Sequence, residues 1–208
     1  MFRYILAIVL LGIVSTASAT NIDFNTVGPL TGVNVLNIGT TYDEDGFNLS
    51  VTGDNLAAIG SLRVEYTGQP ALVVNLAAAS QTVTLTTISG NLFDVDSIGL
   101  TKWISSSTKT VTFTGNVFGG GTVTQGFSVT GFALSTFFFP GTFSNLESLQ
   151  WSTIGGGTAN YHQFDDIDVE EIVPDAVPEP SSFALGGVAV VLGLTFFRKS
   201  LSRWLVRA

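Results

Sequence analysis

The sequence has no cysteine, only one histidine and few basic residues. Without cysteine the protein can form no disulfide, no zinc–thiolate site and no cysteine nucleophile. Because His162 is the only histidine, a metal site with two histidines is excluded, and a Ser-His-Asp triad would depend on this one residue. The Gly-x-Ser-x-Gly pattern of a nucleophile elbow is also missing. These absences predict a protein that is not an enzyme.

Basic residues are scarce between the two ends of the chain. Between Thr20 and Val177 there are fifteen acidic residues against Arg63, Lys102 and Lys109, which gives this part a net charge near −12, whereas the whole chain carries −8. Nucleic-acid binding needs clustered Lys and Arg, so it is predicted to be absent. An acidic surface of this kind attracts divalent cations or keeps the protein soluble.

The first nineteen residues have the three parts of a secretory signal peptide. Arg3 provides the positive charge, residues 4–14 form an apolar stretch, and residues 17–19 (Ala-Ser-Ala) provide a small-x-small cleavage site. The apolar stretch is too short to cross a hydrocarbon core of about 30 Å as a helix. We therefore expect export and cleavage by signal peptidase after Ala19, which leaves residues 1–19 as the leader. The alternative is a buried N-terminal helix or a membrane anchor.

The C-terminal end has three features in order. Pro178, Glu179 and Pro180 precede an uncharged apolar segment, residues 182–197, which four basic residues follow: Arg198, Lys199, Arg203 and Arg207. A helix over this segment would rise about 24 Å, and the long stems of the flanking cations extend its reach. The segment is therefore predicted to be a transmembrane helix. The positive-inside rule places the basic tail, residues 198–208, in the cytoplasm, which agrees with outward export of the preceding chain.

This C-terminal arrangement resembles the PEP-CTERM sorting signal of Gram-negative bacteria. The resemblance implies that an exosortase, a membrane-embedded transpeptidase-like enzyme, recognises Pro178, Glu179 and Pro180 and releases the protein outward. The three residues are then recognition residues and not catalytic ones. Two prolines hold an extended, helix-resistant segment that a protease-like site can accept. The implied localisation is an inner membrane-anchored precursor that becomes a cell-surface or extracellular-matrix protein.

Residues 20–172 show the period-two pattern of β-strands. Val111 and Phe113, for example, alternate with threonines, and clusters of Gly, Asn and Asp separate such runs every eight to twelve residues. The pattern predicts an all-β ectodomain of about ten short antiparallel strands, a β-sandwich of jelly-roll type, followed by a linker over residues 173–181. Single helical turns are predicted only at residues 55–60 and 76–80.

Several short segments of this ectodomain resemble jelly-roll ectodomains that precede such sorting signals, and carbohydrate-binding-module sandwiches generally. They are residues 22–24, 42–47, 93–98 and 164–169, with Phe143, Leu146 and Trp151. In a jelly roll the first and last strands lie side by side, which closes a sheet edge. The resemblance implies a non-catalytic binding or matrix protein associated with extracellular polysaccharide or biofilm. Two alternatives remain: a structural or adhesive surface protein without glycan affinity, and a carbohydrate-active enzyme that uses a carboxylate pair.

Acidic residues in the predicted last strand indicate a candidate calcium site. Asp165 shares a strand face with Ile167 and Val169, and a carboxylate that points into the core must be paired, neutralised or bound to a metal. Calcium, which takes six to eight oxygen ligands, suits such a position. The resemblance to carbohydrate-binding sandwiches implies a structural calcium held by Asp165 with Asp23 or Asp166. The alternative is a solvated turn and a strand end.

Aromatic residues indicate a second candidate site. Residues 137–139 are three consecutive phenylalanines, and because neighbouring strand residues face opposite sides, at least one must leave the core face. Phe138, with Trp103, Trp151 and Tyr161, is a candidate platform for sugar stacking or for a partner. The alternative is a strand buried on both faces, and the sixteen phenylalanines of the chain favour it because most of them are expected in the core.

Overall fold

The computed structural model describes six ranges of the chain, all within one compact unit, Ser15–Val173: residues 18–28, 30–63, 66–74, 80–103, 108–154 and 162–173. The predicted sorting motif, apolar segment and basic tail lie outside these ranges, as does the signal peptide up to residue 17. Among the described residues, no helix is long and apolar enough to span a membrane.

The described residues form thirteen β-strands, and every pairing between them is antiparallel. The prediction of an all-β, antiparallel ectodomain is confirmed, with more strands than the sequence pattern predicted. The strands are β1 (Ser18–Ile22), β2 (Val35–Gly39), β3 (Thr41–Glu44), β4 (Phe47–Thr52), β5 (Leu56–Ile59), β6 (Leu72–Val74), β7 (Ser80–Thr87), β8 (Leu92–Lys102), β9 (Lys109–Val117), β10 (Thr122–Val129), β11 (Ser135–Phe138), β12 (Leu146–Ile154) and β13 (His162–Ile172).

The strands are arranged in two layers. One layer has the order β3-β4-β7-β12-β9-β10, and the other has β2-β5-β6-β13-β8-β11, with β1 also paired to β13. A single residue pair, Leu146 with Phe93, joins the two layers into one network of paired strands. This is the sandwich arrangement that the spacing of the predicted strands indicated.

Aromatic rings from the two layers meet in the core. Phe47 of β4 contacts Phe93 of β8 at a centroid distance of 5.6 Å, and Trp151 of β12 contacts Phe164 of β13 at 5.1 Å, both edge to face. All four side chains are buried. Edge-to-face contacts of this kind stabilise a core by about 0.5–1.5 kcal/mol each beyond the burial of their area.

The first and last strands lie side by side, as predicted. β1 pairs with β13 along its full length, from Ser18 opposite Glu171 to Ile22 opposite Ile167. The predicted cleavage site after Ala19 lies within β1. Cleavage there would leave residues 20–22 paired with β13.

The prediction of a helical turn at residues 55–60 is wrong. Leu56–Ile59 is strand β5, and all four of its side chains are buried. Leu56 and Ala58 belong to the core between the layers, whereas Ala57 and Ile59 pack on the opposite face of the sheet. A strand buried on both faces has no alternation of apolar and polar residues, so its sequence does not show the period of two. The other predicted turn falls largely outside the described residues.

Candidate functional site

A pocket of about 360 Å³ opens between two loops at one end of the sandwich. One side is the loop that follows β1, with residues 25–28, 30 and 31, and the other side is formed by Tyr66 and Pro70 before β6. The lining carries the amide of Asn25, the hydroxyls of two threonines and the aromatic ring of Tyr66 beside apolar groups. None of these lining side chains is charged.

A buried carboxylate holds the loop after β1. Glu44, which is 8% exposed, accepts a hydrogen bond of 2.8 Å from the backbone N–H of Phe24 and one of 3.0 Å from the hydroxyl of Thr26. Phe24 has φ of +53° and a fully buried ring. A bulky residue in this left-handed region is strained, so the surrounding contacts must maintain it. Glu44 thereby fixes the backbone next to the pocket.

Tyr42 contacts the same loop after β1. Its hydroxyl is hydrogen-bonded to the Thr26 hydroxyl, and its ring lies 5.6 Å from that of Phe24. Burial raises the pKa of Tyr42 to about 12, and the negative charge of Glu44 also raises it, against the hydrogen bond to Thr26. Tyr42 is therefore neutral at physiological pH, and its position supports the Thr26 side of the pocket.

A second buried carboxylate holds the loop on the other side. Gln69 donates through Nε2 to Oδ2 of Asp165 at 2.8 Å and to Oδ2 of Asp166 at 3.3 Å. Asp165 has no exposed surface, and its Oδ1 accepts a bond of 2.9 Å from the backbone N–H of Asp166. Asp166 has φ of +46°, and the register of β13 against β8 shifts between Asp165 and Asp168. Such irregularities redirect side chains and are common next to functional sites.

The environment of Asp165 favours its protonated form. Burial raises the pKa of Asp165 from 3.8 to about 7, and the charges of Asp166 and Asp23 raise it further, whereas the hydrogen bonds from Gln69 and from the Asp166 backbone oppose the shift. Asp165 therefore changes its charge near neutral pH. It is the buried acid that the sequence predicted in the core face of the last strand.

The structure brings the three predicted calcium ligands near one another, since Asp165 and Asp166 both accept from Gln69 and Asp23 follows Ile22, which pairs with Ile167. Both oxygens of Asp165, however, already accept hydrogen bonds from N–H donors. Across the six described ranges, no three acidic or histidine side chains form a group that could hold a metal ion. Calcium binding therefore stays a prediction.

The three phenylalanines diverge as strand geometry requires. Phe137 packs toward the core with its ring 5.1 Å from that of Phe127, and Phe139 is 9% exposed. Phe138, between them on β11, is 74% exposed. The alternative of a strand buried on both faces is therefore wrong at Phe138, and this residue is the one accessible member of the predicted aromatic set among the described residues.

The two tryptophans are core residues, which corrects their prediction as ligand contacts. Trp103 and Trp151 are each 1% exposed. Trp103 packs in a second, smaller apolar cluster with Ala57, Ile59 and Val73. Trp151 contacts the rings of Phe113 and Phe164. Burying an indole removes a large apolar area from water, and this favourable free energy explains why both side chains lie in the core. Tyr161 lies outside the described residues.

The single histidine is not part of an open site. His162 begins β13, is 2% exposed, and its ring lies 6.3 Å from that of Phe164. It is therefore a buried residue at the beginning of a strand. Asp165 is equally inaccessible, so it cannot face a second carboxylate across an open groove.

Sequence reasoning missed the roles of Glu44, Gln69 and Tyr66. Glu44 lies in the Asp43-Glu44-Asp45 run, which looks like a solvated acidic turn. Gln69 contacts an acid 96 positions later in the chain, and no local pattern predicts such a pairing. Only the alternation of β3, which makes Glu44 share a face with Tyr42, gave any signal that Glu44 points inward.

No protein-family model matches the sequence, and no curated protein matches it significantly. Several solved structures align with part of this chain. A mutant of the family 29 carbohydrate-binding module CBM29-2 aligns with a TM-score of 0.43 and 13% identity, covering 78% of this chain and 100% of that chain. A family 30 carbohydrate-binding module aligns with a TM-score of 0.43 and 16% identity, covering 81% and 96%.

An exo-beta-agarase is also similar in part. It aligns with a TM-score of 0.43 and 7% identity over 76% of this chain, which spans only 26% of the agarase chain.

Proposed function

We propose that the described domain is a non-catalytic glycan-binding module that binds sugar in the pocket between the loop after β1 and the loop before β6. The observation that carries the proposal is the pocket itself, held on both sides by a buried carboxylate, Glu44 on one and Asp165 on the other. Loops fixed in advance lose less entropy when a ligand binds, which favours binding.

The chemistry of the lining suits a sugar. A volume of about 360 Å³ lies in the range of small-ligand sites, which combine apolar surface with a few placed polar groups. Asn25 and the threonine hydroxyls offer hydrogen bonds, while Tyr66 and Pro70 offer apolar faces. Sugar rings present hydroxyls at their edges and C–H groups on their faces, so both kinds of surface are used. The sequence resemblance to carbohydrate-binding sandwiches points to the same ligand class.

The positions of the two buried acidic residues favour binding without catalysis. A glycosidase needs two carboxyl groups that flank the scissile bond. Asp165 is buried under Gln69, and Glu44 is occupied by Phe24 and Thr26. Both carboxylates support loops, so neither is placed to contact a substrate.

The full-length chain, purified and run in native gels cast with soluble polysaccharides, tests the proposal. Retarded migration in at least one neutral polysaccharide such as galactan, xylan or glucomannan, without release of reducing ends, is the expected result. Unretarded migration in every gel would favour a structural or adhesive protein without glycan affinity. Release of reducing ends would favour the carbohydrate-active enzyme.

We further propose that the chain is exported, processed by signal peptidase, anchored by residues 182–197 and released by an exosortase that recognises Pro178, Glu179 and Pro180. The support is the order of these features in the sequence. The product would be a cell-surface or extracellular-matrix protein associated with exopolysaccharide, and its net charge near −12 would keep it soluble there.

A further inference from the structure

We infer that the pocket selects uncharged polysaccharides and rejects acidic ones, because carboxylates support its walls on both sides. This inference rests on the proposed function and specifies its ligand class. The lining groups themselves are uncharged, so the sign of the field in the pocket is set by the charged residues immediately behind them.

Four acidic side chains stand behind the lining, and one of them, Asp165, is only about half ionised at neutral pH because its pKa is raised to about 7. Glu44 accepts a hydrogen bond from the hydroxyl of Thr26, and Asp23 accepts hydrogen bonds from the side-chain amide of Asn25 at 2.5 Å and from its backbone N–H at 3.0 Å. Asp165 and Asp166 both accept from Gln69, the residue before the lining Pro70. Each wall of the pocket therefore contains, or directly adjoins, a residue that is hydrogen-bonded to an acidic side chain.

These hydrogen bonds also orient two amides. The N–H groups of Asn25 and Gln69 donate to carboxylates, so their carbonyl oxygens point away from those acids. Among the described residues no donor is bonded to either of these oxygens. Carbonyl oxygens accept hydrogen bonds from sugar hydroxyls, whereas an ionised carboxylate or sulfate group has no hydrogen-bond donor for them. The Asn25 amide, which lines the pocket, thus favours a ligand with hydroxyl groups.

One cation lies near the pocket. Arg63 lies three residues before Tyr66, and its backbone carbonyl accepts a hydrogen bond of 3.2 Å from the backbone N–H of Tyr66. Arg63 is exposed. Binding of an acidic sugar would depend on Arg63, since guanidinium groups pair well with carboxylates and sulfates. This single exposed arginine is outnumbered by the acidic side chains behind the lining, and like charges brought together at a binding site strongly disfavour the wrong partner.

The test compares neutral galactan and glucomannan with acidic polygalacturonate and alginate, all against the full-length chain at low and at physiological salt. We expect binding to a neutral polymer and at least about tenfold weaker binding to both acidic ones. Asp23→Asn and Asp166→Asn should each strengthen binding to the acidic polymers by about fivefold, the effect of one charge at about 4 Å in water. Asparagine also tolerates the left-handed backbone of Asp166.

Glu147→Gln is the matched control, because Glu147 is an exposed acid on β12 and its replacement makes the same change in net charge. It should leave all affinities unchanged. Acidic polymers that bind the native chain as tightly as neutral ones would overturn the inference and leave the proposed function standing, and loss of that binding in Arg63→Gln would identify the cation responsible. Failure to bind any polymer would contradict both.

Discussion

The side-chain amide of Gln69 donates a hydrogen bond of 2.8 Å to Oδ2 of Asp165, which follows it by 96 residues in the chain. This bond ties the loop before β6 to the last strand at a point where Asp165 has no exposed surface. A buried hydrogen bond to a carboxylate is stronger than one between neutral groups. The loop that forms one wall of the pocket is therefore held by an acid that titrates near neutral pH.

The first prediction concerns stability and pH. Because the folded state raises the pKa of Asp165 from 3.8 to about 7, it binds this proton more tightly than the unfolded chain does. The stabilising contribution is complete below pH 3.8 and is lost as pH rises through 7. In EGTA, the free energy of unfolding should fall by a few kcal/mol between pH 5 and pH 8. Urea denaturation across this range measures it.

Asp165→Asn is the companion variant, since asparagine cannot ionise. It gives up one acceptor and is expected to lose about 1 kcal/mol at pH 5, but its stability should vary much less between pH 5 and pH 8. A native chain and an Asp165→Asn chain with parallel pH profiles would contradict the burial of an ionisable Asp165.

The second prediction concerns calcium. A calcium ion bound by Asp23, Asp165 and Asp166 would need Asp165 ionised, so its effect should appear at pH 8 and disappear at pH 5. For protein purified in calcium, EGTA should lower the melting temperature at pH 8 by mass action. An unchanged melting temperature at pH 8 would reject a stabilising calcium ion at these residues.

The sequence predicts the fold better than the site, for a physical reason. Alternation of apolar and polar residues is a local signal, and it identified strands such as β9, whereas the pairing of the first and last strands was expected from the resemblance to jelly rolls. It failed at β5, where Ala57 and Ile59 are covered by a second cluster that includes Trp103. Trp103 and Trp151 were predicted at the surface because a sequence does not show which large rings find a core position.

The pocket itself was not predicted, since its walls meet only in the folded protein. Asp165 was predicted to be an acid in the core from its position beside Ile167, and it is. Its partner Gln69 and the role of Glu44 depend on contacts across 96 and 20 residues. Local patterns carry no signal for contacts of that kind.

The third prediction separates two adjacent phenylalanines. Phe139 is 9% exposed and its ring lies 4.8 Å from Phe143, so Phe139→Ala should cost about 3–5 kcal/mol of unfolding free energy. Phe138 is 74% exposed, and Phe138→Ala should change stability by no more than about 0.5 kcal/mol. Urea denaturation of both variants measures the difference. Equal losses would mean that the outward face of β11 is covered in solution.

The fourth prediction tests sorting. Replacing Pro178, Glu179 and Pro180 with alanine should leave the protein in the membrane fraction, because the exosortase would no longer recognise it. Immunoblots of cell fractions and medium measure the distribution. Pro174→Ala changes a proline of the same linker and should be released normally. Normal release of the triple variant would refute recognition of the tripeptide.

The central claim is that sugar binds in the pocket between the loop after β1 and the loop before β6, and one pair of variants tests it most directly. Gly28 lines the pocket and Gly141 lies in a turn elsewhere; a Cβ added at either meets no atom within 4 Å, and neither backbone needs positive φ. Gly28→Phe should fill the pocket, and Gly141→Phe adds the same ring outside it. Calorimetric titration with the best-bound neutral polysaccharide should show at least about a tenfold loss of affinity for Gly28→Phe and native affinity for Gly141→Phe. Native affinity in Gly28→Phe would contradict the claim.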